Sequence, residues 1–584
     1  MKKIFAFVLA AVALVSCKMD FYPSDSMTSS QLAENPSSAV YTTDGIYTLF
    51  QDRVAYAGQT GGESGNYYIR HYFQFAELRG DNVTVSGKSE DPITEAYMYE
   101  EDPTHKNIYY TWWMGYKIIN AANSNIAAIV PGTSALSDHL LGENYFFRAL
   151  VHFHLVTLFA MPYVQGRDNP GVVLRQGSDI STTTRSTVGE VYDAIVEDLL
   201  KAKEYLAIGE SERVKGDDKS YVTLDAATAL LARVYLYMEK NDECIEQCNE
   251  LLAHAPASVI AGYDYADYPT HTYNHAETIW CIRLDQNHDW AQPDHAEASL
   301  ASMYVKDGKG WGEHYWRDDL IDQFQRYPQD KRFAAYFRMT GLTDDGKVMV
   351  CFPIKINPTD KSCSDGYAFN CTQEEDGSVE FTYDSKKYTA VPTKVNTYTQ
   401  YFVNDASFPG EKIDGKARVF VRPNISKKDG VRFNMGGDYT IYYSTKYSYQ
   451  DGNPMLSSPV FFRWGEVFLN RAEAYAKNGE EQKALDDVKT IRSRAGLTGD
   501  AEMTLSNYKE RGYDSVLDVV LDERRMELVF EGHRFFDVFR NRKSMDRRYV
   551  GCHYWEVIQP DDPRIAMLIS QDEINASGIP QNPR

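Results

Sequence analysis

The chain has 584 residues, 43% of them hydrophobic and 25% charged, which is enough apolar material for a large packed core. Its 61 basic residues are outweighed by 83 acidic ones, giving a net charge of −22. That balance argues against a nucleic-acid or anionic-membrane surface and against a strongly anionic ligand.

The chain opens with Lys2 and Lys3, an apolar run over residues 4–15, and then Leu14-Val15-Ser16-Cys17. The run is too short to span a bilayer stably, so residues 1–16 read as a secretion signal. A cysteine at the cleavage point is what bacterial lipoprotein processing requires, because its thiol takes the diacylglycerol and its freed amine is acylated. Cys17 is therefore expected to carry lipid and to tether an otherwise non-spanning chain, residues 17–584, which is expected to form a single body.

Further along, residues 140–159 are apolar on nearly every face and predict a buried helix. Trp112 and Trp113 ahead of them are both expected in the core. Residues 188–206 are amphipathic, and residues 223–238 with 241–252 predict a helix pair. Residues 461–477 and 481–494 predict another pair, with Gly479 ending the first helix. Small residues at Ala472 and Ala484, with Tyr475, have the spacing of a tetratricopeptide hairpin. Between these pairs, residues 255–457 are rich in Tyr, Gly, Asp and Asn, with short apolar runs at 348–356 and 439–447. The expected fold is mainly α: a tetratricopeptide-like helix-hairpin scaffold over 27–254 and 458–543, carrying an irregular region of loops and short strands at 255–457. Seven cysteines follow Cys17; they are too sparse for a disulfide framework, though Cys363 and Cys371 flank a polar loop and could bridge.

No phosphate loop, zinc spacing or EF-hand loop appears, so no cofactor or metal is expected. Gly62-Glu63-Ser64-Gly65 falls short of a nucleophile elbow, because Asn66 stands where that pattern needs glycine. What remains is a binding surface. Sugar rings stack a C–H face on aromatic side chains, while their hydroxyls bond to planar polar groups. Aromatics make up 13% of this chain, and tyrosine, with 42 copies, combines a flat apolar face with a hydroxyl. Three stretches combine such residues: Glu63-Ser64-Gly65-Asn66-Tyr67-Tyr68-Ile69-Arg70-His71-Tyr72, Asn287-His288-Asp289-Trp290, and Gly308-Lys309-Gly310-Trp311-Gly312-Glu313. The residues expected to touch a ligand are Trp311, Trp290, Tyr67, Tyr68, Arg70, Asn66 and Glu63.

The block Glu523-Arg524-Arg525-Met526-Glu527-Leu528-Val529-Phe530-Glu531-Gly532-His533-Arg534-Phe535-Phe536-Asp537 alternates charges with large apolar residues, so the charges must partly enter the core and be satisfied by one another. Glu523, Glu527 and Arg524 are spaced to pair along one helix face, and His533 is expected to be a packing residue.

This block resembles the SusD/RagB family of outer-membrane lipoproteins of Bacteroidetes. So do Gly142-Glu143-Asn144-Tyr145-Phe146-Phe147-Arg148-Ala149-Leu150, the helix around 226–235, Phe462-Arg463-Trp464-Gly465-Glu466 with the helix it opens, and Gln581-Asn582-Pro583. The resemblance covers nearly all of the chain after Cys17, with 265–457 matching loosely. It implies a cell-surface, non-catalytic binding protein that captures oligosaccharides and acts as the lid of a TonB-dependent, SusC-like outer-membrane transporter. Peptide import in the same lid role and a secreted glycoside hydrolase are the alternatives. In order and surroundings the three stretches are similar to the segments from which starch-binding members build an aromatic arc. The tryptophan those members carry soon after the first segment has no counterpart at 83–87, so starch itself is not supported.

Overall fold

A computed structural model of the chain describes residues 38–51, 68–85, 93–177, 179, 183–208, 213, 216–286, 299–305, 312–339, 341–354, 356–359, 361–395, 398–425, 442–552 and 554–584. The signal segment, Cys17 and the start of the predicted scaffold lie outside these residues.

The first part of the chain is a stack of helices: α1 (Ser38–Leu49), α2 (Tyr68–Leu78), α3 (Lys106–Ala128), α4 (Ala135–Phe159) and α5 (Val188–Leu206). Their starts are written in the sequence. The Ser134 hydroxyl accepts the N–H of Ser137 at 3.0 Å at the head of α4, and Thr187 with Glu190 forms a reciprocal capping box at the head of α5. As expected, α4 is buried on nearly every face, because α3 and α5 both pack along it. Gly142 lets α5 close on it: a Cβ there would stand 2.7 Å from Leu206 Cγ and 3.1 Å from the Ala202 carbonyl.

The pair α6 (Leu224–Tyr237) and α7 (Asn241–Leu252) follows the predicted boundaries to within a residue. Before the later pair comes a set of two-stranded sheets: β1 (Val83–Val85) with β3 (His314–Trp316), β2 (Thr278–Cys281) with β12 (Val460–Arg463), and β4 (Phe337–Met339) with β11 (Tyr442–Ser444). Residues 460–463, placed mostly in a helix by sequence, are therefore a strand. Arg463 is still extended (φ −148°, ψ 159°), and the helix begins only at Trp464. The later helices are α8 (Leu300–Tyr304), α9 (Asp318–Gln325), α10 (Trp464–Lys477), α11 (Glu481–Arg494), α12 (Val516–Glu527), α13 (Arg534–Arg540) and α14 (Gln571–Ser577). Gly479, at φ +77°, ends the α10 turn as predicted, in the left-handed conformation glycine adopts most readily. Helix α7 packs on α10 and joins the two hairpins into one helical body.

The region expected to hold loops and short strands contains a closed antiparallel barrel with its own core. Its strands are β5 (Val348–Ile354), β6 (Ser364–Gln373), β7 (Val379–Tyr383), β8 (Lys386–Val395), β9 (Tyr398–Val403) and β10 (Ala417–Pro423), in spatial order β10-β5-β6-β7-β8-β9. Val350, Phe352, Phe381, Tyr388, Phe408 and Val419 fill it. Two arginines on β10 fasten the barrel to α9: Arg422 donates to Asp318 at 2.7 Å, and Arg418 donates to Asp322 at 2.8 Å.

A Cys363–Cys371 bridge is ruled out by the barrel. Cys371 lies eight residues on from Cys363 along β6, roughly 25 Å at the rise of a strand, far beyond disulfide reach. The Cys371 thiol faces the Ala368 carbonyl at 3.4 Å, whereas Cys363 Sγ stands 2.8 Å from Cys552 Sγ.

The 523–537 block sits at the centre of the helical body. Glu523 and Glu527, one turn apart, both accept from Arg332, at 2.6 and 3.1 Å. Glu523 also takes Arg492 at 2.8 Å, and Glu527 takes Arg463 at 2.8 Å. Glu277 joins them, accepting from Arg463 at 2.9 Å, Arg494 at 3.0 Å and the Gly465 N–H at 2.8 Å. Arg524 does not share this face as expected; it turns to Asp537 and Asn470, at 2.9 and 2.7 Å. Arg534 holds Asp81, at the end of α2, at 2.6 Å. His533 is buried, and burial pushes its imidazole down to about 4, which keeps it neutral as a packing residue.

Candidate functional site

Of the seven predicted contact residues, Glu63, Asn66, Tyr67, Trp290 and Trp311 lie outside the described residues. Tyr68 and Arg70 are placed, and their placement corrects the expectation of an exposed loop there. Both belong to α2, every residue of which is buried. The Tyr68 hydroxyl lies 3.2 Å from His154 Nδ1, the Tyr72 ring stacks on His154 at 3.6 Å, and Thr111 Oγ1 lies 3.2 Å from His71 Nδ1. The polar aromatics that resemble a ligand surface in the sequence here spend their polar ends on α3 and α4.

The elements into which the first and third predicted stretches run are joined through α8. The first stretch runs into α2 and the third, which follows α8, into β3; the second ends ten residues before α8, outside the described residues. Helix α8 packs against both α2 and β3, with the Tyr304 ring edge-on to His314 at 5.4 Å. Strand β3 pairs with β1 so that His314 opposes Val85. Beneath this junction Glu77 is fully buried and accepts from Asn82 at 2.9 Å and from the Gly532 N–H at 3.0 Å; burial pushes its carboxyl up to about 7. That acid, like Glu143 and Asp365, is raised inside the core and not in a cleft. Among the described residues no group of three or more His, Cys, Asp or Glu is placed to hold a metal ion, and no helix is long and apolar enough to cross a membrane.

A second aromatic surface was not recognised in the sequence. Tyr109, Trp113, Tyr116 and Asn120 follow one another at i, i+4, i+7 and i+11 on α3 and line a cleft of about 240 Å³. Arg175 and α14, through Asp572 and Glu573, form the other wall. The Tyr116 hydroxyl donates to the Val173 carbonyl at 2.8 Å, and the Arg175 guanidinium lies 5.7 Å from the Tyr116 ring. Lys117 Nζ lies 5.2 Å from the Trp113 ring. Trp112 is buried against Phe159 as expected, but Trp113 is only partly buried. Adjacent residues on a helix point about 100° apart, so two neighbouring tryptophans fall at different places across the buried face, and Trp113 falls at its margin.

Comparison with known proteins agrees with this architecture. A family model described as the SusD family matches residues 276–570, just over half of the chain, and a second, described as starch-binding and associating with the outer membrane, matches residues 55–236. Two SusD-like proteins of Formosa agariphila are 23% and 22% identical to this chain, over 74% and 82% of it and 69% and 81% of their own lengths. Among solved structures, a SusD superfamily protein from Bacteroides thetaiotaomicron superposes with a TM-score of 0.63 at 21% identity, covering 94% of this chain and 99% of its own. A laminarin-binding SusD-like protein superposes with a TM-score of 0.58 at 18% identity, covering 94% and 99%. The length of the matched segment decides the assignment: this chain belongs to the SusD family.

Proposed function

We propose that the protein captures neutral oligosaccharides at the cell surface without cleaving them, and that it acts as the lid of a TonB-dependent, SusC-like outer-membrane transporter to which it passes them. The observation that supports this reading is the junction of α2, α8, β1 and β3, where the elements that follow the first and third aromatic stretches meet. On this reading Trp290 and Trp311 stack on sugar rings, Glu63, Asn66 and Tyr67 bond to hydroxyls, and Tyr68 and Arg70 hold the frame from inside. The net charge of −22 favours a neutral ligand over an anionic one. Lipid on Cys17 supplies the attachment to the outer membrane. The laminarin-binding relative supports a glycan as ligand.

Open sites that stack one or two sugars compete with water for every hydroxyl, so the expected Kd is ~10 μM to 1 mM. Truncating a stacked tryptophan removes a large apolar face and is expected to cost about 1–3 kcal/mol, a ten- to hundred-fold loss. Calorimetry of Trp311→Ala and Trp290→Ala against a glycan that retains the parent protein on an affinity gel tests the assignment. Folded variants that bind like the parent would place the site elsewhere. Binding of peptides in place of glycans would leave the lid role but replace its cargo.

A further inference from the structure

We propose that the cleft between α3 and α14 is a second saccharide site, separate from the Trp290/Trp311 surface. Three rings at i, i+4 and i+7 make a ladder roughly 10 Å long at the rise of a helix, and aromatic rings are what sugar C–H faces stack on. Asn120 and Arg175 stand beside the rings as planar hydrogen-bonding groups, and Asp572 and Glu573 face them as acceptors. The charges cancel, with Lys117 and Arg175 against Asp572 and Glu573, so the surroundings favour a neutral polar ligand. Lys117 and Arg175, beside the Trp113 and Tyr116 rings at 5.2 and 5.7 Å from their centres, disfavour a cationic guest by like-charge repulsion. A volume of about 240 Å³ is below the roughly 300–1,000 Å³ of most small-molecule sites, which suits one or two sugar rings of a longer glycan whose remainder stays in water. A second contact on the same chain would slow release of a long glycan through effective concentration, without either site being tight.

The test is calorimetry of the full mature chain with laminarihexaose, maltohexaose and xylohexaose. Its variants are Trp113→Ala, Ala576→Trp, which fills the cleft and removes nothing, and the Trp290→Ala/Trp311→Ala pair. The expected result is that the pair retains a weak sugar-binding component, which either cleft variant then lowers at least ten-fold. If Trp113→Ala fails to fold, Ala576→Trp alone decides. Loss of all binding in the Trp290/Trp311 pair, with cleft variants that bind like the parent, would overturn the cleft and leave the principal site standing. A parent that binds none of the sugars would overturn both.

A different observation carries a second inference. Residues 361–365 lie beside residues 551, 552, 554 and 555: Ser362 bridges Tyr554, Trp555 N–H donates to the Lys361 carbonyl at 2.9 Å, and Gly551 N–H donates to Asp365 at 3.0 Å. Between them Cys363 Sγ and Cys552 Sγ are 2.8 Å apart. We infer that these two thiols form a disulfide in the exported protein, fastening the barrel to the C-terminal part of the helical body. Each thiol loses a proton and together they give up two electrons as the S–S bond forms; a protein disulfide oxidant of the cell envelope accepts the electrons and becomes a dithiol. Alkylation of the unfolded, unreduced protein should then label five of the seven described cysteines, and digestion should yield one linked peptide pair holding Cys363 and Cys552. Reductant should lower the Tm of the parent and leave that of Cys363→Ser unchanged. Seven labelled thiols in protein isolated from its own cell envelope would overturn the inference.

Discussion

At the scale of single residues, the clearest case is Glu527. Burial pushes its carboxyl up, but the guanidiniums of Arg463, Arg494 and Arg332 pull it further the other way, and it stays ionised well below the usual carboxylate range. Glu527→Ala would leave those guanidiniums buried beside an empty place. The expected cost is about 3–5 kcal/mol, seen as a lower denaturation midpoint or lost folding before any loss of ligand affinity. The surface pair Arg167–Asp193, 2.5 Å apart with both side chains about half exposed, is the control: Arg167→Ala should leave the denaturation midpoint nearly unchanged. A second prediction concerns pH. His152 is buried, with Nδ1 2.9 Å from the Arg148 carbonyl and Nε2 accepting the Arg175 N–H at 3.2 Å, and burial pushes its imidazole down to about 3. The unfolded chain takes up a proton near pH 6.5, but the folded chain does not until about 3, so His152 subtracts stability as pH falls through that window. By pH 5 the subtraction is about 2 kcal/mol. Urea unfolding at pH 7 and pH 5 checks it: the difference between the two should shrink by about that amount in His152→Gln. An unchanged difference would mean that another group takes up the proton.

At the scale of elements, helices with a strong apolar stripe were legible and the barrel was not. Residues 188–206, 241–252 and 481–494 match the observed helices end to end, because the apolar period runs the length of each between polar links. In β8, by contrast, two lysines open the strand, Pro392 interrupts it, and only Tyr388 and Ala390 are buried, so little two-residue alternation survives to be read. Closure of six strands is a property of pairing between distant residues and leaves no local mark. Helix α2 was missed for a related reason. Its Tyr, His, Gln and Arg look like a surface, and only partners on α3 and α4, tens of residues away, make it interior. Trp290 and Trp311 were singled out by the polar residues, and for Trp311 the glycines, around them, and both lie outside the described residues; Trp113 was passed over because it was read together with its neighbour. The barrel offers a test of its own packing. A Cβ on Gly366 would stand 2.5 Å from the Phe352 ring, so Gly366→Ala should cost about 1–3 kcal/mol and lower the Tm, whereas Gly415→Ala meets nothing within 4 Å and is strained only by its positive φ. Equal melting temperatures for Gly366→Ala and the parent would contradict the described interior.

At the scale of the whole molecule, a helical body built around a buried ion network carries a barrel on one side and the junction of α2, α8, β1 and β3 on another. The 523–537 block is tied to that junction: Asp81, just after α2, is bound by Arg534, and Glu77 accepts the Gly532 N–H, so on the proposed reading the ion network would hold the ligand frame in place. The net charge of −22 and the lipid proposed on Cys17 belong to the same reading, that of a protein tethered at the outer membrane. The central claim is that this molecule holds neutral glycans and does not cut them. The most direct measurement is calorimetry of the mature chain against a panel of neutral oligosaccharides and peptides, at low and high salt, with the sugars recovered afterwards and their reducing ends counted. The account predicts binding of at least one oligosaccharide at ~10 μM to 1 mM, little changed by salt, with every chain recovered at its original length. Shortened products, or binding confined to peptides, would contradict it.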